Sequence, residues 1–355
     1  MKSTWKKCLL YATYTLLASG LLYGLLQLIL SGYAVDWTGF QTKTLWDWMD
    51  LLIIPIVLAL GAFFLNRSER AIERENNNNR AEFDRQIADE RRVEDRKLAE
   101  ERANLEREIA KDQQQEQALN TYLDRMSELL LEKELRTTKN SEVRNVARTH
   151  TLKILQVLDK FRKGVVIKFL YETSLITGKE PIIKLNDAEL SEVELPSSNL
   201  NGINFEGAIL IKANFTDAKL DASIFEKAIA KNANFLRANL KSANLKKADF
   251  QYCNLHESNL QGADLERADL RVARLSSVQF EGANLRGTSL INADLMAARL
   301  AGADLYAALL DHVNFKFADL SGALNLHPED LINVKSLESA SLPHGFEVHR
   351  FDDSK

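Results

Sequence analysis

The stretch 233–270, ANFLRANLKSANLKKADFQYCNLHESNLQGADLERADL, decides the fold because a large apolar residue returns at every fifth position. The same spacing runs from Leu190 to Leu320 without an insertion, and only Ala230 breaks the size rule. The residue two places earlier is usually Ala, and the residue directly before is usually Asn or Asp. A five-residue period matches neither an α-helix nor a flat β-strand. It predicts a square coil in which each repeat forms one side and one corner.

We call the large residue of each repeat its centre and the residue two places earlier its small position. Both are expected to point inward, and the other three residues outward. Four repeats per coil would align residues twenty positions apart, in ladders spaced about 4.8 Å along the axis. No repeat can bury its own centre, so stability comes from stacking. Several glycines lie near the expected corners and suit turns that need a positive φ, namely Gly202, Gly262, Gly282, Gly302 and Gly322.

Two apolar runs lie at the N-terminus. Cys8–Leu30 contains no charged residue, and Met49–Leu65 carries only Asp50 at its edge. Lys and Arg flank the outer ends of both runs, whereas the connecting loop holds only Lys43. The length of the two apolar runs predicts two transmembrane helices and therefore a multi-pass membrane location. The Lys and Arg bias predicts that both termini lie in the cytoplasm. A cleaved signal peptide ending near residues 18–20 is the alternative interpretation of the first run.

Residues 67–116 are dominated by charged helix formers, which predicts one long helical stalk. The run Asn76–Asn79 is a candidate hinge. A heptad seam predicts a possible homo-oligomer through a coiled coil, although Arg102, Asp112 and Glu116 weaken the seam and an eleven-residue period also fits part of it. The alternative is a lone solvated helix. The seam residues are Leu98, Leu105, Ile109, Leu119 and Leu123.

Residues 117–180 carry apolar side chains at three- and four-residue steps, which predicts about three short helices. Ser141 is a candidate cap for the middle helix. A solenoid needs its open first coil covered. We therefore expect this segment to be a helical collar that caps the solenoid.

The repeats resemble the bacterial pentapeptide-repeat family, and the whole chain resembles a membrane-anchored subgroup with two N-terminal spans and a charged helix. The subgroup resemblance rests on LDRMSELLLEKELR at 123–136, NVARTHTLKILQVLDKFRKGVVIKFLYE at 145–172 and PEDLINVKSLESASLP at 328–343. The family implies a mainly β fold, a right-handed quadrilateral β-helix. The expected domains are a transmembrane anchor (1–66), the stalk (67–116), the collar (117–180), the solenoid (181–326), and a closing helix with a polar tail (327–355).

Catalytic chemistry has no support in the sequence. The family has no shared catalytic residues, none of the six histidines has a partner at metal-ligand spacing, and Cys253 occupies a small position. The Asn and Asp residues before the centres recur from coil to coil, which favours a role in turns. We therefore predict no enzyme activity, no cofactor and no metal site.

The solenoid mixes its charges, with 18 acidic and 14 basic residues between positions 185 and 323. A basic column of Lys227, Lys247 and Arg267, with Lys246 beside it, has acidic neighbours and few aromatic ones. No nucleic-acid partner is therefore expected.

The predicted function is a membrane-tethered, non-catalytic scaffold that binds an unknown protein partner in the cytoplasm. The alternative is a regulated effector whose solenoid senses a ligand while the hairpin perturbs the lipid bilayer. Aligned outward apolar residues often mark an interface, and they make Tyr252, Val272 and Ile291 a candidate partner-binding strip. The collar could instead cover the apolar residues nearest to it, which are Ile209, Ile211 and Ile229.

Overall fold

A computed structural model of the chain describes residues 18–24, 26–27, 45–137 and 141–346. Residues 18–24 and 26–27 are helical. The longer helices are α1 (Leu45–Leu131), α2 (Ser141–Val157) and α3 (Lys160–Glu172), and a short 3₁₀ turn spans Pro328–Leu331. The chain divides into two compact units between Arg102 and Ala103, and the second unit contains the collar and the solenoid.

The predicted two-span membrane topology is wrong on the structure. Among the described residues, no helix is both long and apolar enough to cross a bilayer. The apolar run Met49–Leu65 holds 17 residues, fewer than the roughly 20 that a spanning helix needs, and it continues directly into the charged part of α1. Most of the other predicted span, Cys8–Leu30, lies outside the described residues.

Helix α1 is longer than the predicted stalk. It continues through Pro55 and through Asn76–Asn79, so the expected hinge is ordinary helix. Strong helix formers on both sides of this run outweigh its weak propensity. Of the seam residues, Leu105 and Ile109 are exposed, whereas Leu119 is buried and Leu123 packs against the core of the collar. The C-terminal seam residues therefore pack against other parts of the same chain.

The solenoid has four repeats per coil, as predicted. Parallel bridges join residues twenty apart, from Glu189 with Ile209 to Asp304 with Leu324. In a typical step, the N–H of Leu210 donates to the carbonyl of Ile229 at 2.7 Å, and the N–H of Ile229 donates to the carbonyl of Ala208 at 2.9 Å. Each coil is thus hydrogen-bonded to the next by short bridges on its four sides.

Each corner is a turn closed by a backbone hydrogen bond. The N–H of Ala213, for example, donates to the carbonyl of Leu210 at 3.0 Å. The second residue after each centre has a positive φ at every corner from Asp187 to Phe317. Type II turns require this conformation at their third residue. The glycine prediction holds for Gly202, Gly262, Gly282 and Gly302, but Gly322 does not have a positive φ.

The core of the solenoid is formed by the centres and the small positions. Every centre from Leu190 to Leu320 is buried, and Cys253 is buried as predicted. The exception at Ala230 has a steric reason, because Phe225 and Phe235 flank it in the same coil. The ring of Phe250, one coil further along the same side, lies 5.1 Å from that of Phe235 and 6.0 Å from that of Phe225, measured between centroids. A larger centre at 230 would compete with these three rings for space.

The collar packs across the first coil. Ser141 is the first helical residue of α2, and its predicted role as a cap stays a prediction. Asp159 caps α3 by accepting hydrogen bonds from the N–H groups of Phe161 and Arg162. The N–H of Glu194 in the first coil donates to the carbonyl of Lys160 at 3.2 Å. These contacts place α3 against the open end of the solenoid.

An ion-pair network joins α3 of the collar to the end of the stalk part of α1. The guanidinium of Arg162 contacts Asp159, Asp112 at 2.7 Å and Glu116 at 3.0 Å. The Gln115 amide donates to the carbonyl of Val157 at 3.0 Å. The acidic residues that weaken the heptad seam therefore have a partner within the chain.

The C-terminal end departs from the regular spacing. The closing segment is a 3₁₀ turn of four residues, Pro328–Leu331, and not a longer helix. Pairing then resumes between Asn314 and Ser336, and between Asp319 and Ser341, so the separation grows from twenty to 22 residues. The turn accommodates the two extra residues.

Candidate interaction surface on the solenoid

Tyr252 and Val272 occupy the same corner of consecutive coils. Both have a positive φ, 60° at Tyr252 and 59° at Val272. Both side chains are exposed, by 52% and 41%. A β-branched residue with a positive φ is a genuine outlier, because its side chain clashes with its own backbone. Apart from these two, the column holds polar residues, namely Glu192, Lys212, Asn232, Asn292 and His312.

Ile291 completes the predicted strip. Its carbonyl accepts a hydrogen bond from the N–H of Val272 at 3.0 Å. Its side chain is half-buried. The structure thus places the three residues of the strip beside one another at the corners of three consecutive coils, with Ile291 directly before the corner residue Asn292.

Two arginines flank Val272, and the sequence reasoning did not select them. Arg271 contacts Asp269 through two guanidinium nitrogens, at 2.9 Å and 2.7 Å, and this hydrogen bonding raises the pKa of Arg271. Arg274 is exposed and forms no ion pair in the part of the chain that the structure describes. The signal that could have found them is their closeness to Val272 in sequence, since their columns hold few other basic residues.

The collar touches only the beginning of the solenoid. Its hydrogen bonds to the first coils include those from Lys163 to the carbonyl of Ser191 and from Tyr171 to the carbonyl of Asn201. Ile229, which the alternative interpretation placed under the collar, remains 38% exposed. Ile209 and Ile211 are half-buried. The collar therefore leaves the strip uncovered.

The basic column is partly neutralised. Lys227 lies 3.4 Å from Glu226 and 4.0 Å from Glu206. Lys246 lies 3.0 Å from Asp264 and 3.2 Å from Glu266, and these contacts raise its pKa. Lys247 and Arg267 form no ion pair among the described residues.

The Asn and Asp residues before the centres cap the corners. The Asn244 side chain accepts a hydrogen bond from the N–H of Lys246 at 3.0 Å, and Asp264 accepts one from the N–H of Glu266 at 3.2 Å. Some also join coils, since the Asn284 amide donates to Asp264 at 2.9 Å. The Cys253 thiol lies in the core, where burial raises its pKa and disfavours the reactive thiolate.

Coils of four five-residue repeats define this domain as a β-helix solenoid. Residues 188–226, 225–255, 253–290 and 288–324 match the family described as pentapeptide repeats, in eight copies. This part of the chain belongs to the pentapeptide-repeat family, and the match supports the predicted right-handed β-helix. The predicted membrane-anchored subgroup has no such support.

Solved structures of pentapeptide-repeat proteins are similar to the chain. One is a protein from the thylakoid lumen of Arabidopsis thaliana, with 28% identity over 27% of this chain and 68% of its own length, at a TM-score of 0.27. Another is HetL from the cyanobacterium Nostoc sp. strain PCC 7120, which is involved in regulating heterocyst differentiation. It shows 20% identity over 51% of this chain and 97% of its own, at a TM-score of 0.24.

A third similar structure is trypsin-treated QnrB1, a plasmid-mediated fluoroquinolone resistance protein. It shares 20% identity over 46% of this chain and 78% of its own, at a TM-score of 0.31. The comparison with curated proteins found no match.

Proposed function

We propose that the chain is a non-catalytic interaction scaffold whose solenoid binds a protein partner through Tyr252, Val272 and Ile291. The observation that carries this proposal is the exposed, left-handed Val272. Strained backbone persists where the surrounding structure imposes it, and such positions cluster at functional sites. Val272 also adds apolar surface at a place where Asn or Gly would be more stable.

The composition around the strip supports a protein partner. Tyr and Arg are enriched among the residues that dominate binding energy at interfaces. Here Tyr252 lies one coil from Val272, and Val272 is flanked in sequence by Arg271 and Arg274. Small-molecule sites are concave, whereas this strip lies on the convex corner of a solenoid. A macromolecular surface suits a corner better than a small ligand does.

The partner surface should combine apolar and acidic groups. Arg271 is already paired with Asp269, whereas Arg274 has a free guanidinium among the described residues. A carboxylate of the partner next to an apolar side chain would contact Arg274 and Val272 together. Such a charge-assisted pair adds specificity at an interface.

Affinity capture from cell extract, followed by binding measurements with the captured protein, tests the proposal. Changing Tyr252, Val272 and Ile291 to Ser should abolish capture while thermal unfolding remains cooperative. The matched control changes Ser242 and Gln261, outward residues on another part of the solenoid, to Ala. A strip variant that captures every partner of the wild type would refute the assignment.

A further inference from the structure

A second surface lies in the collar, where a groove of about 570 Å³ runs between the C-terminal part of α1 and helix α2. This volume is in the range of about 300–1,000 Å³ that is typical of ligand sites. Its walls are two helical stripes. The α1 stripe follows steps of three and four residues and contains Gln114, Gln117, Ala118, Thr121, Tyr122 and Arg125.

The floor of the groove is apolar and fixed. Tyr122 is only 4% exposed, and its hydroxyl forms a hydrogen bond with that of Thr151 at 2.9 Å. Ala118 and Ile154 are half-buried in the walls, and Val157 is 48% exposed. Ala118 leaves room for the close approach of another backbone.

The rim of the groove is cationic. Arg125 and Lys153 are exposed, and His150 lines the groove from the α2 side. None of the residues lining the groove is acidic. Neither Arg125 nor Lys153 forms an ion pair among the described residues, in contrast to Arg162 on α3, which contacts three acidic side chains.

We propose that this groove binds an acidic amphipathic helix of a partner protein. Two side-by-side helical stripes present ridges between which a third helix can pack. The α1 stripe extends over residues 114–125, which at 1.5 Å per residue is about 17 Å, or three helical turns. An apolar face at steps of three and four residues would cover Ala118, Ile154 and Val157, as in other helix-in-groove complexes. Glu and Asp residues at its edges would face Arg125 and Lys153.

The full-length protein and labelled synthetic helices test this assignment by fluorescence anisotropy. The first peptide carries Leu at positions i, i+3, i+4 and i+7 and Glu on its flanks. A second has the same composition in scrambled order, and a third has Lys in place of Glu. The first should bind, and the other two should bind at least about tenfold more weakly.

Variants locate the site. The double change R125E and K153E should weaken binding of the Glu peptide about tenfold or more and allow binding of the Lys peptide. Lys168→Glu reverses a charge on the exposed side of α3 and should have no effect. Ala118→Trp should block the groove while circular dichroism shows unchanged helix content.

Three results would overturn the proposal. They are failure of the Glu peptide to bind, equal binding of the Glu and Lys peptides, and unchanged binding by the R125E and K153E protein. Sedimentation tests whether a second copy of the chain occupies the groove instead. In that case the wild type would be a dimer and the double variant a monomer. That result would also reject the acidic helix. None of these outcomes bears on the Tyr252 strip, which lies on the solenoid.

Discussion

Gly164 lies so close to the first coil that a Cβ atom at this position would be 2.6 Å from the carbonyl oxygen of Glu194. Glycine normally weakens a helix interior, so its presence within α3 reflects this close approach. The contact joins the collar to the backbone of the solenoid.

Gly164→Ala should therefore destabilise the protein by about 1–3 kcal/mol, as overpacked core sites do. Chemical denaturation measures the change in the free energy of unfolding. Gly61→Ala is the matched control, because a Cβ atom at Gly61 in α1 would have nothing within 4 Å, and this change should be neutral or stabilising by about 1 kcal/mol. Equal effects of the two changes would contradict the close contact.

Leu265→Lys should unfold several coils. Leu265 is fully buried, and an unpaired charge in a stacked core costs several kcal/mol, here about 4 kcal/mol or more. Hydrogen exchange should show lost protection in the neighbouring coils. Ser242→Lys is the control, because Lys already occupies equivalent corners at Lys212 and Lys247. A melting temperature near that of the wild type for Leu265→Lys would reject the five-residue register.

Val272→Asn should stabilise the solenoid by about 1–2 kcal/mol, the usual cost of a left-handed conformation for a residue other than Gly, Asn or Asp. The reverse change at the same corner, Asn292→Val, should destabilise it by a similar amount. Thermal unfolding of both variants gives the comparison. If Val272→Asn proves destabilising, the side chain of Val272 contributes more to folding than its exposure indicates.

The Asp159 carboxyl should make the collar sensitive to acid. Burial, the largest single influence, raises its pKa, but hydrogen bonds from Arg162 and Phe161 together lower the pKa below its usual value of 3.8. A carboxyl with a lowered pKa in the folded state stabilises above its unfolded pKa, and this stability is lost as pH falls through the folded pKa.

Asp159→Asn keeps a good helix cap but removes the charge. The stability difference between wild type and Asp159→Asn should therefore be constant above about pH 5 and shrink below about pH 4. Denaturation with urea at a series of pH values measures it. Ser242→Ala, which removes no titratable group, should show no such trend. A difference that stays constant down to about pH 2 would rule out the ionic contribution.

The repeat register could be predicted from the sequence because one period specifies every centre, and even the exception at Ala230 follows once Phe225, Phe235 and Phe250 are packed together. The local preference of Val opposes a positive φ, so the conformation of Val272 follows only from the register, in which the second residue after every centre takes a positive φ, and not from its own propensity. The collar groove escaped prediction. It depends on how α2 packs beside α1, which the periodicity of each helix alone does not determine. The membrane prediction failed because the apolar part of α1 is short.

Because bridged residues are twenty positions apart, the position of a residue within each block of twenty determines the face of the solenoid on which it lies. Deleting one repeat between Tyr252 and Val272 would rotate everything downstream by a quarter turn, so that Val272 would leave the corner it shares with Tyr252 although every centre stayed buried. Deleting four repeats together would preserve each column. Insertions or deletions in this domain therefore preserve its surface columns only when they comprise whole coils of four repeats. Insertions or deletions of one, two or three repeats would place residues of different faces side by side and create new surfaces without unfolding the core.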